Sequence, residues 1–363
     1  MTATLVDTAP VEPPAVAAPA RARWLHVARR AAWWIGVYVA ALVIFGAFVS
    51  GRHVNPLSMY HAMWESTFTS RYGFGQVLNK AGPFILAALA VAVPARAGLV
   101  NIGGEGQVVI GAVAAGGVAL MLGEHVTGLP AILLMGIAGA GAGAVWAGIA
   151  ALLKLFGNVS DAISTLLLNY VGADVLSYLV YGPWKDAAGN GQPVSRPLPA
   201  GDFLPTFHAL QTHAGIFIAL AALGLVAFAL ARTRWGFALR AVGGNPEAAR
   251  RAGLAVGPLL VSAMLVGGAL AGLGGMVQFS GLEGQLRPGL AMTFGYTGFL
   301  ASWLGRHASG KVAAAATLLA AIVIAGNALQ ITSHLPGGAV NILTALILLA
   351  VLAQRPVRSK VAP

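Results

Sequence analysis

The amino-acid sequence predicts an all-α, polytopic integral membrane protein with about ten transmembrane helices and both termini in the cytoplasm. Three observations predict it. Of 363 residues, 58% are hydrophobic and 9% charged, against roughly 25% charged in a soluble domain, so the exterior has to suit lipid. Apolar stretches near membrane-crossing length recur along the chain. The basic residues fall mostly on one side of the bilayer when those stretches are threaded through it.

Taken in order, residues 1–30 are expected to be a disordered cytoplasmic tail, Ala-, Pro- and Val-rich and ending in Arg21, Arg23, Arg29 and Arg30. Residues 31–50 are uncharged. They outrun a secretory h-region and lack a clear cleavage site, so they read as an uncleaved first span. Further spans are expected near 79–94, 98–122, 129–153, 160–181, 213–231, 256–280, 292–304, 312–331 and 338–353. The second, eighth and tenth are short, and a broken or re-entrant segment is an alternative for one of them. Residues 31–353 therefore form a single transmembrane domain, with 354–363 a cytoplasmic tail.

With the N-terminus inside, 16 of the 22 Lys and Arg residues are cytoplasmic; Arg52, Arg71, Lys80, Lys185, Arg196 and Arg287 are outside. An odd number of spans would scramble that alternation. The net charge of +11 is thus topological, and nucleic acid is not an expected partner. The 48 glycines suit close helix packing. Gly139-x3-Gly143 and Gly268-x3-Gly272 have the spacing of a helix contact face, or arise by chance in so Gly-rich a chain.

Two loops stand out. The outer segment 182–212 carries Pro183, Pro193, Pro197, Pro199 and Pro205, which exclude continuous helix; it is either a connector or a docking surface. The inner segment 232–256 contains a sharply bounded helix. Asn245 is a good N-cap, Pro246 suits the first helical position, and Glu247 complements the dipole. Ala248 and Ala249 continue it, Arg250 and Arg251 occupy the last turn, and Gly253 supplies a left-handed cap. Such a helix is either plain loop structure or the part of a membrane subunit that receives a push from a soluble motor.

No catalytic constellation, cofactor motif or metal-ligand spacing appears. There are no cysteines. Gly305-Arg-His-Ala-Ser-Gly-Lys-Val312 approaches a phosphate loop, but Val312 replaces the required hydroxyl and no strand precedes it. Any ATPase therefore lies on another chain.

Several stretches carry a resemblance. Gly243, Asn245, Pro246, Ala248, Ala249 and Gly253, followed by Leu270-Ala-Gly-Leu-Gly-Gly275, resemble the coupling-helix region of ABC-importer permeases of the ribose and branched-chain amino acid transport type. Arg96-Ala-Gly-Leu-Val-Asn-Ile-Gly-Gly-Glu-Gly-Gln107 is similar to the RAG-x-x-NIG-x-EGQ stretch of their nucleoside-importer branch. Ile163-Ser-Thr-Leu-Leu-Leu-Asn-Tyr170 and Gly295-Tyr-Thr-Gly-Phe-Leu-Ala-Ser-Trp-Leu-Gly-Arg306 resemble two more of its segments. Asp161, where that branch usually has Glu, and Trp303 are departures.

The resemblance implies a permease subunit in a bacterial-type inner (plasma) membrane that forms the path for a small polar solute, a nucleoside or related compound. It implies a cytoplasmic ATP-binding subunit, an extracytoplasmic solute-binding protein and a second permease subunit, a different chain in the nucleoside branch. Asn101, Glu105, Gln107, Asn169 and Tyr296 are the candidate pathway residues, because polar groups at membrane depth face a cavity or another helix. Glu105 can equally satisfy backbone freed by the neighbouring glycines, or pair with Arg96. Asp174, five residues beyond Asn169, lies on a different face of the same helix. The competing class is an ion- or proton-coupled secondary transporter, which places coupling charges mid-membrane; here those are few.

Overall fold

The computed structural model describes residues 20–188, 191–332 and 338–352. Thirteen helices are present among them: α1 (Ala20–Ser50), α2 (Pro56–Trp64), α3 (Arg71–Ala95), α4 (Gly104–Leu122), α5 (Leu129–Gly157), α6 (Asp161–Tyr181), α7 (Gly215–Arg232), α8 (Arg234–Gly244), α9 (Pro246–Arg251), α10 (Val256–Gln278), α11 (Phe294–Leu304), α12 (Ser309–Thr332) and α13 (Gly338–Leu352). Seven helices are long and apolar enough to cross a membrane. The chain is therefore an all-α polytopic membrane protein, and each of the ten expected spans falls on a helix.

Some boundaries differ from the sequence expectation. α1 starts at Ala20, so helix reaches into the segment expected to be a disordered tail; residues 1–19 and 353–363 lie outside the described residues. α3 starts at Arg71, where Ser70 caps it by accepting from the Gly73 N–H at 2.9 Å. That places Lys80, at the edge of the expected span 79–94, well inside the helix. α11 has only 11 residues, about 16 Å of helix, half of what a bilayer core requires.

α3 is the central helix, with 89% of its most apolar stretch buried. α10 packs on it and crosses α5 and α4 at backbone contact. A Cβ built on Gly272 would lie 2.1 Å from the Gly139 carbonyl oxygen, and one on Gly143 would lie 2.3 Å from the Gly268 oxygen. One on Gly111 would lie 2.3 Å from Gly272 Cα, and one on Gly275 only 1.9 Å from the Val108 oxygen. The two small-xxx-small pairs are thus the two sides of one crossing. Without a hydrophobic driving force between helices in lipid, such close approach is what holds them together.

The Pro-rich loop 182–212 folds onto the segment after α10. Ser195 and Leu198 N–H groups donate to the Leu286 and Gly284 carbonyls at 2.9 and 2.7 Å, and Leu204 N–H donates to Ser280 at 2.9 Å. A short hairpin, β1 (Thr206–Phe207) and β2 (Thr212–His213), is pinned to α3 by Asn79. Its Oδ1 accepts from the Thr212 hydroxyl at 2.7 Å and the His213 N–H at 2.9 Å.

Candidate functional site

Two stretches of irregular backbone enter the bundle. Residues 96–103 join α3 to α4, and 284–293 lead into α11. Non-helical backbone is tolerated at membrane depth only where protein satisfies its polar groups, and α6 does this for the first stretch. Asp161 Oδ2 accepts from Val100 N–H at 2.6 Å, and Thr165 Oγ1 accepts from Ile102 N–H at 3.2 Å. Asn169 Oδ1 accepts from Gly106 N–H at 2.8 Å while its amide donates to the Ile102 carbonyl at 3.0 Å. Asp161, Thr165 and Asn169 recur every four residues, so one face of α6 reads the whole segment. That spacing is visible in the sequence; it is the signal by which Asp161 and Thr165 belong with Asn169. Asp161 also holds Lys154 at 2.7 Å.

Asn101 and Gln107 pair amide to amide, at 3.0 and 2.9 Å, and Asn101 also donates to the Ala90 carbonyl at 3.1 Å. Both are buried, at 0% and 1% exposed. The candidate pathway amides are therefore committed to internal bonds that shape the backbone around them.

Glu105 sits where two helix starts meet. Gly104 and Gly295 approach so closely that a Cβ on Gly295 would lie 1.9 Å from Glu105 N. Each N-terminus is the positive end of a helix dipole, and the Glu105 carboxyl lies between them. Its oxygens accept from Thr293 N–H at 2.5 Å and Gly295 N–H at 2.8 Å. Thr293 has φ 73°, a costly conformation for a β-branched residue, and the clamp holds it there. Of the two bland roles open in the sequence, pairing with Arg96 is not what the structure has. The backbone Glu105 satisfies belongs to α11, not to its own glycines.

Arg96 instead donates to the His307 carbonyl at 2.6 Å, in the turn between α11 and α12. Burial, and then the Arg96 charge, hold the His307 imidazole below its usual range, so it is neutral at pH 7 beside the guanidinium. Tyr296, next to the clamp, is exposed, and Asp174 is exposed on α6.

The loop 232–256 forms the expected helix. Asn245 Oδ1 accepts from Glu247 and Ala248 N–H groups at 3.1 and 3.0 Å. Glu247 pairs with Arg250 at 3.2 Å and Arg251 at 3.1 Å. Gly253 has φ 85° and its N–H donates to the Arg250 carbonyl at 3.0 Å. Ala249 is buried with Val242 and Val256, which seats α9 on α8 and the base of α10.

A helical bundle in which a half-length helix meets the start of a full span, with a capped helix standing off one end, defines a polytopic transport protein of the membrane. Residues 73–352 match the family described as the branched-chain amino acid transport system permease component, and the chain belongs to that family. It is 36% identical over 326 residues to a glucose ABC transporter permease protein of Haloferax volcanii, covering 86% of this chain and 84% of that one. It is 32% identical to a guanosine ABC transporter permease protein of Bacillus subtilis, covering 89% and 92%. A nucleoside ABC transporter permease protein of Lactococcus lactis is 29% identical, with 86% and 89% covered. No solved structure matches. The chain is a transport subunit, and ATP is hydrolysed on a separate partner.

Proposed function

We propose that this permease forms half of an importer's translocation path for a nucleoside or related hydroxylated solute, with residues 245–253 as its ATPase-coupling helix. One observation carries the reading. Gly243, at the end of α8, packs so tightly on the α3–α4 junction that a Cβ there would lie 2.2 Å from the Arg96 carbonyl oxygen. A displacement of α9 passes through α8 to Arg96, from there to residues 97–103, and so to the base of α4 and Glu105. Arg96 ties the turn after α11 to the same point. The starts of α4 and α11 thus both hang from the element that a soluble motor would push. Asn101, Glu105, Gln107 and Asn169 hold the irregular walls of the path, and Tyr296 has its side chain free to meet the solute. Sugar is the second reading of the solute, favoured by the Haloferax relative.

The same reading has ten spans in one transmembrane domain, 31–353, with both termini on the cytoplasmic side of a bacterial inner membrane. The loop 232–256 is then inside and 182–212 outside, positioned to meet a solute-binding protein. It rests on the charge alternation and on the helices found at all ten stretches.

The test is uptake into proteoliposomes carrying the permease with its second permease, its ATP-binding subunit and its solute-binding protein. Uptake is expected to require ATP and to survive ionophores; uptake that follows a proton or sodium gradient without the partner would establish a secondary transporter instead. Glu247→Arg, or deletion of 245–253, is expected to remove at least nine-tenths of solute-stimulated ATP hydrolysis while leaving insertion intact. The ion pairs of Glu247 are exposed and contribute little to stability, so a loss there reports on docking. Normal coupling in both variants excludes the role given to α9.

A second permease subunit covers α6. Ile163, Leu167, Tyr170, Val171, Tyr178 and Tyr181 are exposed along one stripe, and Asp174 stands in its middle, also exposed. A carboxylate turned to lipid near mid-bilayer costs roughly 2.5–3.5 kcal/mol, whereas a protein neighbour can meet it. The chain has no cysteine, so Tyr178→Cys carrying a photoactivatable maleimide gives a clean readout. It is expected to cross-link to the second permease in assembled membranes. Labelling of lipid alone would leave α6 as an outer face.

A further inference from the structure

Near the outer end of the bundle, α3, the end of α10 and α12 enclose a cavity of about 240 Å³, lined by Gln76, Lys80, Gln278, Glu283 and Asn327 among others. Most of this lining is polar, although the cavity lies between membrane helices. Lys80 places its ammonium over the Phe294 ring, 4.1 Å from the centroid, and has no hydrogen-bond or ion-pair partner among the described residues. Gln278 is 3% exposed. Its amide donates to Glu283 at 3.0 Å, which leaves its Oε1 buried without a partner. The other Glu283 oxygen is held by Arg287 at 2.8 Å.

The cavity thus presents one unmet donor, the Lys80 ammonium, and the Glu283 carboxylate as an acceptor, while Gln278 Oε1 is buried behind the lining and Gln278 serves to position Glu283. The ammonium and the carboxylate together define what belongs there. A cation would meet the Lys80 charge. A carboxylate or phosphate would satisfy Lys80 but stand against Glu283. An apolar group would leave Lys80 unmet. A hydroxyl suits both, accepting from Lys80 and donating to Glu283, and the Gln76 and Asn327 amides suit a second hydroxyl beside it. The volume is below the roughly 300–1,000 Å³ of sites for drug-sized ligands, which fits one ring.

We propose that this cavity binds the vicinal hydroxyls of a sugar ring, whether a free sugar or the ribose of a nucleoside. The proposal rests on the permease reading above. It also links solute to conformation: Phe294 opens α11 and follows Thr293, whose N–H Glu105 holds. A hydroxyl that engages Lys80 therefore acts one residue from the clamp.

The experiment uses the permease assembled with its second permease, ATP-binding subunit and solute-binding protein in proteoliposomes. Uptake efficiency is compared for guanosine against 2′,3′-dideoxyguanosine, and for glucose against 2-deoxyglucose. Selection by the solute-binding protein is the same for every permease variant and divides out. Lys80→Met and Gln278→Met, two changes that keep side-chain length, are each expected to lower the preference for the intact ring at least tenfold in one of the two pairs. The pair affected identifies the source as nucleoside or free sugar. Thermal unfolding of each variant separates loss of the site from loss of the fold. A preference unchanged in both pairs, in either variant that folds and assembles, overturns the site while leaving the permease reading intact. Absence of ATP-driven uptake in the unaltered protein overturns both.

Discussion

Gly272→Val is expected to leave no recoverable folded permease, and Gly272→Ala to lower stability by about 3 kcal/mol, near the upper end of ordinary overpacking. The position is enclosed on two sides by backbone. Its Cβ would lie 2.1 Å from the Gly139 oxygen and 3.0 Å from Gly143 Cα, while Gly111 approaches from α4. Backbone cannot rotate away as a side chain does, so three helices must separate together. Separation forfeits the dispersion contacts that drive association in lipid. Monodisperse recovery from detergent, followed by thermal unfolding, measures it. Gly141 is a matched control on α5, since a Cβ there meets nothing within 4 Å, and Gly141→Val should be recovered like the parent. Equal recovery of the two variants would mean the crossing is looser than described.

Glu105→Ala is expected to cost on the order of 3–5 kcal/mol, since a hydrogen bond to a charged group contributes roughly 1.5–3 kcal/mol and two are lost. The substitution also leaves two helix N-termini facing each other without a compensating charge. Glu105→Gln keeps the shape, but its amide sets a donor against one of the two N–H groups, so it should fall between. Thr293→Gly in the Glu105→Ala background should recover part of the loss, because glycine adopts φ 73° without strain. Denaturation midpoints in lipid nanodiscs give the order; a Glu105→Gln variant as damaged as Glu105→Ala would contradict a clamp made of two separable bonds. Uptake should fall with stability, since the same bonds join the starts of α4 and α11.

The helix at 245–253 was fully legible. Cap, proline, acid, bases and terminal glycine are local signals, and each acts within four residues of its partner. The polar residues of 96–107 were legible as a cluster but not in their bonds. Nothing near Glu105 in sequence indicates that its partners lie 188 and 190 residues away. The weakest sequence signals were the short spans. α11 is a half-helix preceded by turns over 284–293, and the expected span 292–304 was short without showing what leads into it. Lys80 was counted with the outer charges at the edge of the expected span 79–94, yet α3 begins at Arg71 and the Phe294 ring provides this ammonium a surface inside the bundle.

By itself, then, the sequence determined the solvent, the helical class, the positions of the ten apolar stretches, and the bounded inner helix. Composition and charge placement act on the whole chain, and capping acts within a turn, so neither needs a partner element. Tertiary structure alone decided which glycines touch, what Glu105 holds, and which face of α6 is left uncovered. The Gly139/Gly143 and Gly268/Gly272 spacings have the same form in sequence as chance pairs. Only the approach of one backbone to another, over 2.1–2.3 Å from a virtual Cβ, makes them a contact. Those distances depend on where helices more than a hundred residues apart come to lie, and residue spacing carries no record of that.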